Sequence, residues 1–234
     1  MTIDISTHKN LLIKILKDIY SHADIGPYLG FKGGTAALLF YDLGRFSVDL
    51  DFDILDEAKE DIIFNGLHTI LKEYGTIKEA RKKRFNLFFL LSYKDKIIGA
   101  QNIKIDVSRR GLMARYEVEP YLGIPMKVMV QEDMVAYKLV AMHERIGRAN
   151  RDIFDVWFFL KNNWPINKEI VEKRTKMPFG EFIQRCVTTL EKVSDEGILS
   201  GMGELLDAKQ KAWAKDHLRA ETIFLLKAKL ESEK

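Results

Sequence analysis

The residues with the clearest chemical potential are three aspartates that alternate with apolar residues in segment 46–54, Phe-Ser-Val-Asp-Leu-Asp-Phe-Asp-Ile. In an extended strand, a period of two puts Asp49, Asp51 and Asp53 on one face and the apolar side chains on the other. Neighbouring carboxylates would stand roughly 7 Å apart and repel one another, and aspartate is already a poor strand former. A divalent cation offsets the repulsion, because Mg²⁺ binds carboxylate oxygens and keeps positions for phosphate oxygens. The pattern predicts a Mg²⁺ (or Mn²⁺) site, with a solvated acidic strand face as the alternative.

A glycine pair precedes this strand in the sequence Gly33-Gly34-Thr35, where Thr35 is predicted to cap a short helix over 35–41. Glycines allow backbone N–H groups to approach an anion, and a helix N-terminus adds a favourable dipole. A Gly-Gly turn alone usually marks only a turn. Combined with the carboxylate strand, it predicts a metal-bound nucleoside triphosphate whose terminal phosphates are clamped by this turn and by Ser47.

A second strand candidate, segment 102–108, alternates three apolar residues with Lys104, Asp106 and Ser108. If this strand pairs beside the first one, Asp106 joins Asp49 and Asp51 as a third carboxylate and third metal ligand. The alternative is that Lys104 and Asp106 form a salt bridge on an edge strand.

Two cations fall within the apolar stripe of a predicted helix over 132–146. Lys138 lies between apolar positions at helical spacing, and Arg145 lies beside it. Buried cations are costly unless they are paired or face a ligand. Asp152 and Asp155, three residues apart on the next predicted helix, could orient these cations or contact the base, ribose or metal. The alternative is that the cations extend outward or form ion pairs with these two aspartates.

The elements that position these residues follow an order of strands and then helices. Apolar spacing predicts a mixture of strands and helices in the first part, over 11–20 (helix), 31–32 (strand), 35–41 (helix), 46–55 (strand), 58–74 (helix), 84–93 and 97–108 (an antiparallel pair joined by the turn 94–96), 115–119 and 126–130 (strands). Only helices follow, over 132–146, 151–162, 168–176, 179–193 and 207–230. This order predicts an α+β domain over 1–163 and a helical bundle over 164–234, divided where helix propensity breaks.

Composition excludes several classes of protein. The 234 residues carry 37 Lys+Arg and 34 Asp+Glu, so the net charge of +3 does not by itself indicate a nucleic-acid binder. A hydrophobic content of 47% is typical of a folded protein, and one cysteine, Cys186, excludes disulfides within the chain and thiolate zinc clusters. The absence of a signal peptide and of a long apolar run predicts a soluble cytoplasmic protein that does not enter a membrane.

Basic clusters are a further candidate for binding. Segment 81–84, Arg-Lys-Lys-Arg, together with Arg109, Arg110 and Arg115, could contact an RNA backbone. Such clusters are more often solvated faces. The five histidines have no spacing typical of metal ligands, so no role is predicted for them.

Several of these segments together resemble a known family. Segments 31–38, Phe-Lys-Gly-Gly-Thr-Ala-Ala-Leu, and 45–51, Arg-Phe-Ser-Val-Asp-Leu-Asp, resemble the first motif of the AbiEii/AbiGii toxin family, a branch of the nucleotidyltransferase superfamily. Segments 133–139 and 151–156 are similar to the later lysine and Arg-Asp motifs of that family. The resemblance implies a nucleotidyltransferase-like mixed sheet flanked by helices and metal-dependent transfer of a nucleotide from an NTP. It also implies a toxin role opposed by a co-encoded antitoxin. Some relatives act in phage defence and some modify tRNA acceptor ends, which makes tRNA a candidate acceptor.

The family's functional set corresponds here to Ser47, Asp49, Lys138 and Asp152, and matching leaves open whether Asp106 or Asp152 is the third carboxylate. The predicted site has three groups: catalytic residues Asp49, Asp51, Asp106, Lys138 and Asp152; nucleotide-binding residues Gly33, Gly34, Thr35, Arg45, Ser47, Arg145 and Asp155; and metal ligands Asp49, Asp51 and Asp106.

Two other functions fit the same residues. One is transfer to a different acceptor, either by a small-molecule nucleotidyltransferase or by a kinase-like transferase acting on protein. The other is a module without catalysis, in which the carboxylates bind only a cation or a partner.

Overall fold

A computed structural model describes residues 4–95, 99–110 and 113–232. The chain forms two compact units, Met1–Met129 and Val130–Lys234. The predicted division into domains 1–163 and 164–234 remains a prediction, since compactness alone does not define a domain by function.

The first unit is built on one mixed sheet of seven strands in the order β3-β4-β5-β2-β1-β7-β6. The strands are β1 Leu29–Lys32, β2 Leu50–Ile54, β3 Thr76–Lys82, β4 Asn86–Asp95, β5 Gly99–Ser108, β6 Tyr116–Tyr121 and β7 Ile124–Met129. Three helices accompany it, α1 Ile5–Ser21, α2 Gly33–Phe40 and α3 Glu60–Lys72. The helix α1 begins after Asp4, whose carboxylate accepts hydrogen bonds from the backbone N–H groups of Ser6 and Thr7.

The strand β2 lies at the centre of the sheet, antiparallel to β1 and parallel to β5. Its apolar residues Leu50, Phe52 and Ile54 are buried, as alternation predicts. Phe52 stands in register with Phe31 of β1, and the two ring centroids are 5.3 Å apart. The pairing on which a third carboxylate depends is present between β2 and β5, and β5 is an interior strand rather than an edge.

Two predictions about local structure near the acidic strand are wrong. The strand β2 begins at Leu50 and not at Phe46. The carbonyl groups just before Leu50 accept hydrogen bonds from side chains instead of from a neighbouring strand. His8 Nε2 donates to the Val48 carbonyl, and the Thr35 hydroxyl donates to the Asp49 carbonyl. Thr35 is also not a helix cap: α2 begins at Gly33. The threonine side chain bonds across to the 47–49 segment instead.

The strands after α3 follow the prediction in part. The antiparallel pair of β4 and β5 is confirmed, from Asn86 opposite Ser108 to Asp95 opposite Gly99. The predicted turn over 94–96 is wrong at Lys94 and Asp95, which pair with β5, and β4 begins at Asn86 rather than at Arg84. Lys96 and Ile97, in the predicted turn and at the predicted strand start, lie outside the described residues. The edge strand β3 has no counterpart in the prediction.

The second unit is helical. Its helices are α4 Gln131–Arg145, α5 Arg151–Lys161, α6 Lys168–Thr175, α7 Phe179–Glu191, α8 Ala208–Trp213 and α9 Arg219–Glu231. The segment Ala214–Leu218 is a π-helical turn, so 208–231 is one continuous helical run, as predicted. The predicted α+β class, with a mixed sheet, flanking helices and C-terminal helices, is confirmed. Within the described residues, no helix has the length and apolarity needed to cross a membrane.

Candidate active site

The register of three strands gathers charged side chains on one face of the sheet. The parallel pairing of β2 and β5 places Asp51 opposite Asp106. The antiparallel pairing of β1 and β2 places Lys32 opposite Asp51 and Gly30 opposite Asp53. Residues opposite one another in a sheet share a face and have Cβ atoms roughly 5 Å apart. The face predicted to carry the carboxylates therefore carries Asp51, Asp53, Asp106 and also a lysine.

The glycine turn at the start of α2 lies directly against this carboxylate face. Gly33 has a φ of +81°, and a Cβ built on it would lie 2.3 Å from Asp51 Oδ2. A Cβ on Gly34 would lie 2.8 Å from Ser47 Oγ and 3.0 Å from Arg45 Nη2. Only glycine permits this approach of the backbone. The structure thus brings together five residues that the sequence assigned to one site.

Thr35 and Arg45 support the turn from inside the fold. Thr35 is buried, and its hydroxyl donates to the Asp49 carbonyl and lies 3.0 Å from Ser47 Oγ. The Arg45 guanidinium is also buried and donates to the Phe46 carbonyl at 2.8 Å. Thr35 therefore links the start of α2 to the segment that carries Asp49, which lies one residue before β2.

Asp106 is a half-buried carboxylate. Burial raises its pKa above the ordinary value, although the Asn86 amide and the charges of Lys32, Lys83 and Arg110 oppose this effect. Asn86 Nδ2 donates to Asp106 Oδ2 at 2.5 Å. A carboxylate whose charged form is disfavoured by its surroundings gains from a cation more than a solvated carboxylate does.

Two polar side chains next to the carboxylates, Lys32 and Tyr116, were not predicted from the sequence. Lys32 Nζ lies 2.5 Å from Asp53 Oδ1, and the Tyr116 hydroxyl donates to Asp53 Oδ2. The Tyr116 ring crosses β1 at Gly30, where an added Cβ would lie 2.4 Å from the ring. A glycine inside a strand marks a close approach by another group, so Gly30 was the available signal. Asp53 is therefore held by Lys32 and Tyr116.

His8, for which the sequence predicted no role, supports the segment before Asp49. It is fully buried on α1. Its Nε2 donates to the Val48 carbonyl at 3.0 Å, so its Nδ1 accepts from the Tyr93 hydroxyl at 2.7 Å. Burial lowers the pKa of His8 below 6.5, although the Val48 carbonyl and Asp49 oppose this.

We expect this histidine to make stability fall in acid. Because the folded pKa lies below the unfolded value near 6.5, the unfolded chain binds more protons as the pH falls below that value. The free energy of unfolding should then decrease by up to about 1.4 kcal/mol per pH unit from this group, until the folded pKa is reached. Urea unfolding between about pH 5 and 7.5 measures this, and His8→Gln should remove that part of the slope. An identical slope in the variant would contradict the assignment.

The second unit holds its own charged cluster. Lys138 Nζ lies 3.0 Å from Asp152 Oδ1 and 2.7 Å from Asp155 Oδ2. Arg145 Nη2 lies 2.9 Å from Asp152 Oδ2, although this contact lacks the geometry of a hydrogen bond. Both aspartate side chains are fully buried. Of the alternatives for these cations, ion pairing with the two aspartates is the one observed.

Removal of Asp155 should destabilise the second unit strongly. The change Asp155→Ala removes a carboxylate that pairs with the nearly buried Lys138, and breaking a buried pair costs about 3–5 kcal/mol. The exposed pair of Glu181 and Arg185 on α7 is a matched control, since Glu181→Ala should cost less than about 1 kcal/mol. Urea unfolding compares the two variants. Equal losses would show that the buried cluster is not structural.

The family is established by comparison with known proteins. A family model described as nucleotidyl transferase AbiEii toxin, type IV TA system, matches residues 14–216. The chain belongs to this family. This match confirms the family resemblance that the motifs of the glycine turn and the acidic strand predicted. It covers most of the chain. No match was found among curated proteins.

Solved structures agree with this assignment at the level of the fold. MenT4, a nucleotidyltransferase toxin from Mycobacterium tuberculosis, has a TM-score of 0.65 at 18% identity, covering 95% of this chain and 84% of that one. JHP933 from Helicobacter pylori has a TM-score of 0.62 at 20% identity, covering 100% and 96%. A putative nucleotidyltransferase from Helicobacter pylori has a TM-score of 0.60 at 18% identity, covering 100% and 99%. The AbiEii chain therefore has a nucleotidyltransferase fold.

The donor chemistry of the AbiEii carboxylates suits a hard cation. In residues 4–95, 99–110 and 113–232, no three side chains of His, Cys, Asp or Glu form a ready metal site. Mg²⁺ does not need one, because it is commonly bound by one or two carboxylates together with substrate phosphates and water. The opposed pair of Asp51 and Asp106 fits this requirement. In contrast, both oxygens of Asp152 already face the cations Lys138 and Arg145.

Proposed function

We propose that this AbiEii protein transfers a nucleotide from an NTP to an acceptor, with Mg²⁺ or Mn²⁺ bound by Asp49, Asp51 and Asp106. One observation carries the proposal. Asp51 and Asp106 stand in register on adjacent parallel strands, and the turn at Gly33 touches Asp51 so closely that no larger residue fits. A phosphate chain on the turn would therefore lie beside the carboxylates. The metal, when bound, would neutralise phosphate charge and lower the pKa of a coordinated hydroxyl.

The protein groups proposed to hold the triphosphate come from the start of α2 and from the loop before β2. The first backbone N–H groups of a helix have no partner within the helix, and its dipole attracts an anion. Gly33 and Gly34 allow phosphates to approach these groups, and Ser47 Oγ lies next to Gly34. Arg45 adds a buried positive charge at the same place. We propose that Thr35 has a positioning role, since its hydroxyl is used within the fold.

We propose, as the alternative to metal coordination by Asp106, that this carboxylate receives the proton of the acceptor hydroxyl. Without a bound cation, burial raises the pKa of Asp106 above that of an ordinary aspartate, which favours proton uptake. Lys32 stands opposite Asp51 in the register and lowers the pKa of Asp106, so it stabilises negative charge on this face. The catalytic roles of Lys138 and Asp152, and the nucleotide contacts of Arg145 and Asp155, are proposed from the family motif and from their ion-paired cluster.

Isotope labelling tests the proposal. The purified protein is incubated with each NTP, Mg²⁺ and total RNA, and with label on either the α- or the γ-phosphate. We expect transfer only from the α-phosphate, and we expect Asp51→Ala to lower it by roughly 10²–10³-fold or more. Asp61→Ala is the matched control, because Asp61 is an exposed aspartate of α3 whose carboxylate contacts Lys82.

Other results would support the other functions. Transfer from the γ-phosphate would show a kinase-like enzyme, and binding of Mg²⁺ without any product would show a module without catalysis. Equal α-label transfer by wild type and Asp51→Ala would refute the assignment of the site. The type IV toxin family further supports a co-encoded antitoxin as partner, and we propose RNA, including tRNA, as the acceptor class to test first.

A further inference from the structure

An exposed aromatic side chain, Phe85, lies at the turn between β3 and β4. Its side chain is 47% exposed. Two guanidinium groups lie against its ring: the Arg84 Cζ is 4.9 Å and the Arg110 Cζ 5.1 Å from the ring centroid. Single exposed apolar residues are common and need no explanation. An exposed ring with two arginines close to it is a different feature, because it combines an aromatic surface with phosphate-binding groups.

Backbone hydrogen bonds hold the turn that carries this ring. The Lys83 N–H donates to the Asn86 carbonyl at 2.8 Å, which closes the turn. The Arg109 N–H donates to the Phe85 carbonyl at 2.8 Å, which ties the turn to the end of β5. The Arg109 side chain donates to the Lys83 carbonyl at 2.9 Å and pairs with Glu60 at 2.7 Å. A base that stacks on Phe85 would therefore meet a side chain on a turn that is tied to β5.

The turn that carries the ring adjoins the strand ends that carry the proposed acceptor side of the active site. Asn86, the residue after Phe85, donates to Asp106 Oδ2 at 2.5 Å. On the other strand, Arg110 lies two residues beyond Ser108, which is opposite Asn86 in the sheet. The same two strand ends thus carry both Phe85 with its arginines and the carboxylate proposed to receive the acceptor proton.

The basic side chains near Phe85 differ in what they contact. Arg81 and Lys82 of β3 contact acidic side chains, Glu79 and Asp61 respectively. Arg84 and Arg110 instead face the Phe85 ring and are exposed. Single-stranded nucleic acid is bound by this combination, in which bases stack on an aromatic face and cations follow the backbone.

We infer that Phe85, with Arg84 and Arg110, is a stacking platform for an unpaired base of a nucleic-acid acceptor. This inference rests on the proposed function, since it places the acceptor of that reaction. A stacked base beside Asp106 would bring the end of a single strand to the carboxylates. Stacking does not distinguish one base from another, because every base has a π face.

Direct binding tests the platform without requiring catalysis. The probe is a fluorescently labelled single-stranded oligoribonucleotide of roughly eight nucleotides, and fluorescence anisotropy gives its Kd at one fixed salt concentration. Base stacking on an aromatic residue is worth about 5- to 150-fold in affinity. We expect Phe85→Ala and Phe85→Leu to weaken binding by this factor and Phe85→Trp to retain it, because leucine is apolar but has no π face.

A second exposed phenylalanine provides the control. Phe224 on α9 is 69% exposed, and Phe224→Ala should leave the Kd unchanged. Unchanged affinity in Phe85→Ala, or equal affinity in the leucine and tryptophan variants, would overturn the inference. So would a wild-type protein that binds no RNA but loses a protein partner in Phe85→Ala. Failure of α-label transfer alongside RNA binding that depends on Phe85 would refute the proposed reaction and support the platform.

Discussion

Asp106→Asn is expected to remove nucleotide transfer without destabilising the fold. The amide lacks the charge needed to bind a cation, so we expect activity to fall by roughly 10²–10³-fold or more. Burial raises the pKa of this carboxyl, which means that its ionised form costs free energy in the folded state. The asparagine is also able to accept the hydrogen bond from Asn86. Urea unfolding without divalent cations at pH 7 should therefore give equal or greater stability for the variant.

The difference in unfolding free energy between wild type and Asp106→Asn should change with pH in a defined direction. The folded pKa of Asp106 is above the unfolded value, so the carboxyl takes up a proton in the folded state first as the pH falls. Wild type should gain stability relative to Asp106→Asn as the pH decreases from neutral, and the two curves should converge. A variant that is less stable than wild type at neutral pH would show that the charge of Asp106 stabilises the fold. Asp106 would then be a structural residue.

Gly33→Ala is expected to abolish transfer, whereas a matched glycine change should not. Gly33 has a φ of +81°, and its added Cβ would lie 2.3 Å from Asp51 Oδ2. Gly123, in the turn between β6 and β7, has a φ of +80° with nothing within 4 Å of an added Cβ. Both variants carry the cost of about 1–2 kcal/mol for an alanine in this backbone conformation. Only Gly33→Ala also displaces a proposed metal ligand.

Measurements of activity and of stability separate the backbone strain, which both variants share, from the displacement of Asp51, which only Gly33→Ala causes. We expect α-label transfer to fall by on the order of 10²-fold or more in Gly33→Ala, since small displacements of reacting groups have effects of this size. Gly123→Ala should keep near wild-type transfer while it loses similar stability in urea. Equal transfer in both variants would mean that the contact between the turn and Asp51 is not needed for the reaction.

The two central acidic strands were predictable because their alternation is local. Alternation in segment 50–54 identifies the buried face of β2, and the same alternation in 102–108 identifies a second strand with one acidic position. The glycines and the motif order add the family. Whether the two strands pair was left open, and the register answers it by placing Asp51 opposite Asp106.

Other features depend on long-range contacts that a sequence pattern does not contain. Thr76–Lys82 has little apolar alternation because β3 is a largely exposed edge strand. Side chains from distant segments, those of His8 and Thr35, bind the carbonyls before β2 and shorten the predicted strand. Tyr116 reaches Asp53 across Gly30 only because β6, β7 and β1 are neighbours.

The sequence predicted which residues form the charged cluster of the second unit, but not whether they pair with one another or with a ligand. Spacing placed Lys138 among apolar positions and Asp152 with Asp155 on one helix face. Whether a buried lysine faces a ligand or a carboxylate depends on how α4 and α5 pack. Their packing brings both aspartates within 3.0 Å of Lys138, so these ion pairs satisfy its charge within the unit.

Anomalous diffraction from crystals grown with Mn²⁺ and a nonhydrolysable NTP analogue tests the central claim most directly. We predict a manganese peak within roughly 2.5 Å of carboxylate oxygens of both Asp51 and Asp106, with the phosphates on the turn at Gly33 and Gly34. A peak bound by Asp152 or Asp155, with Asp51 and Asp106 directed away from metal and nucleotide, would contradict it.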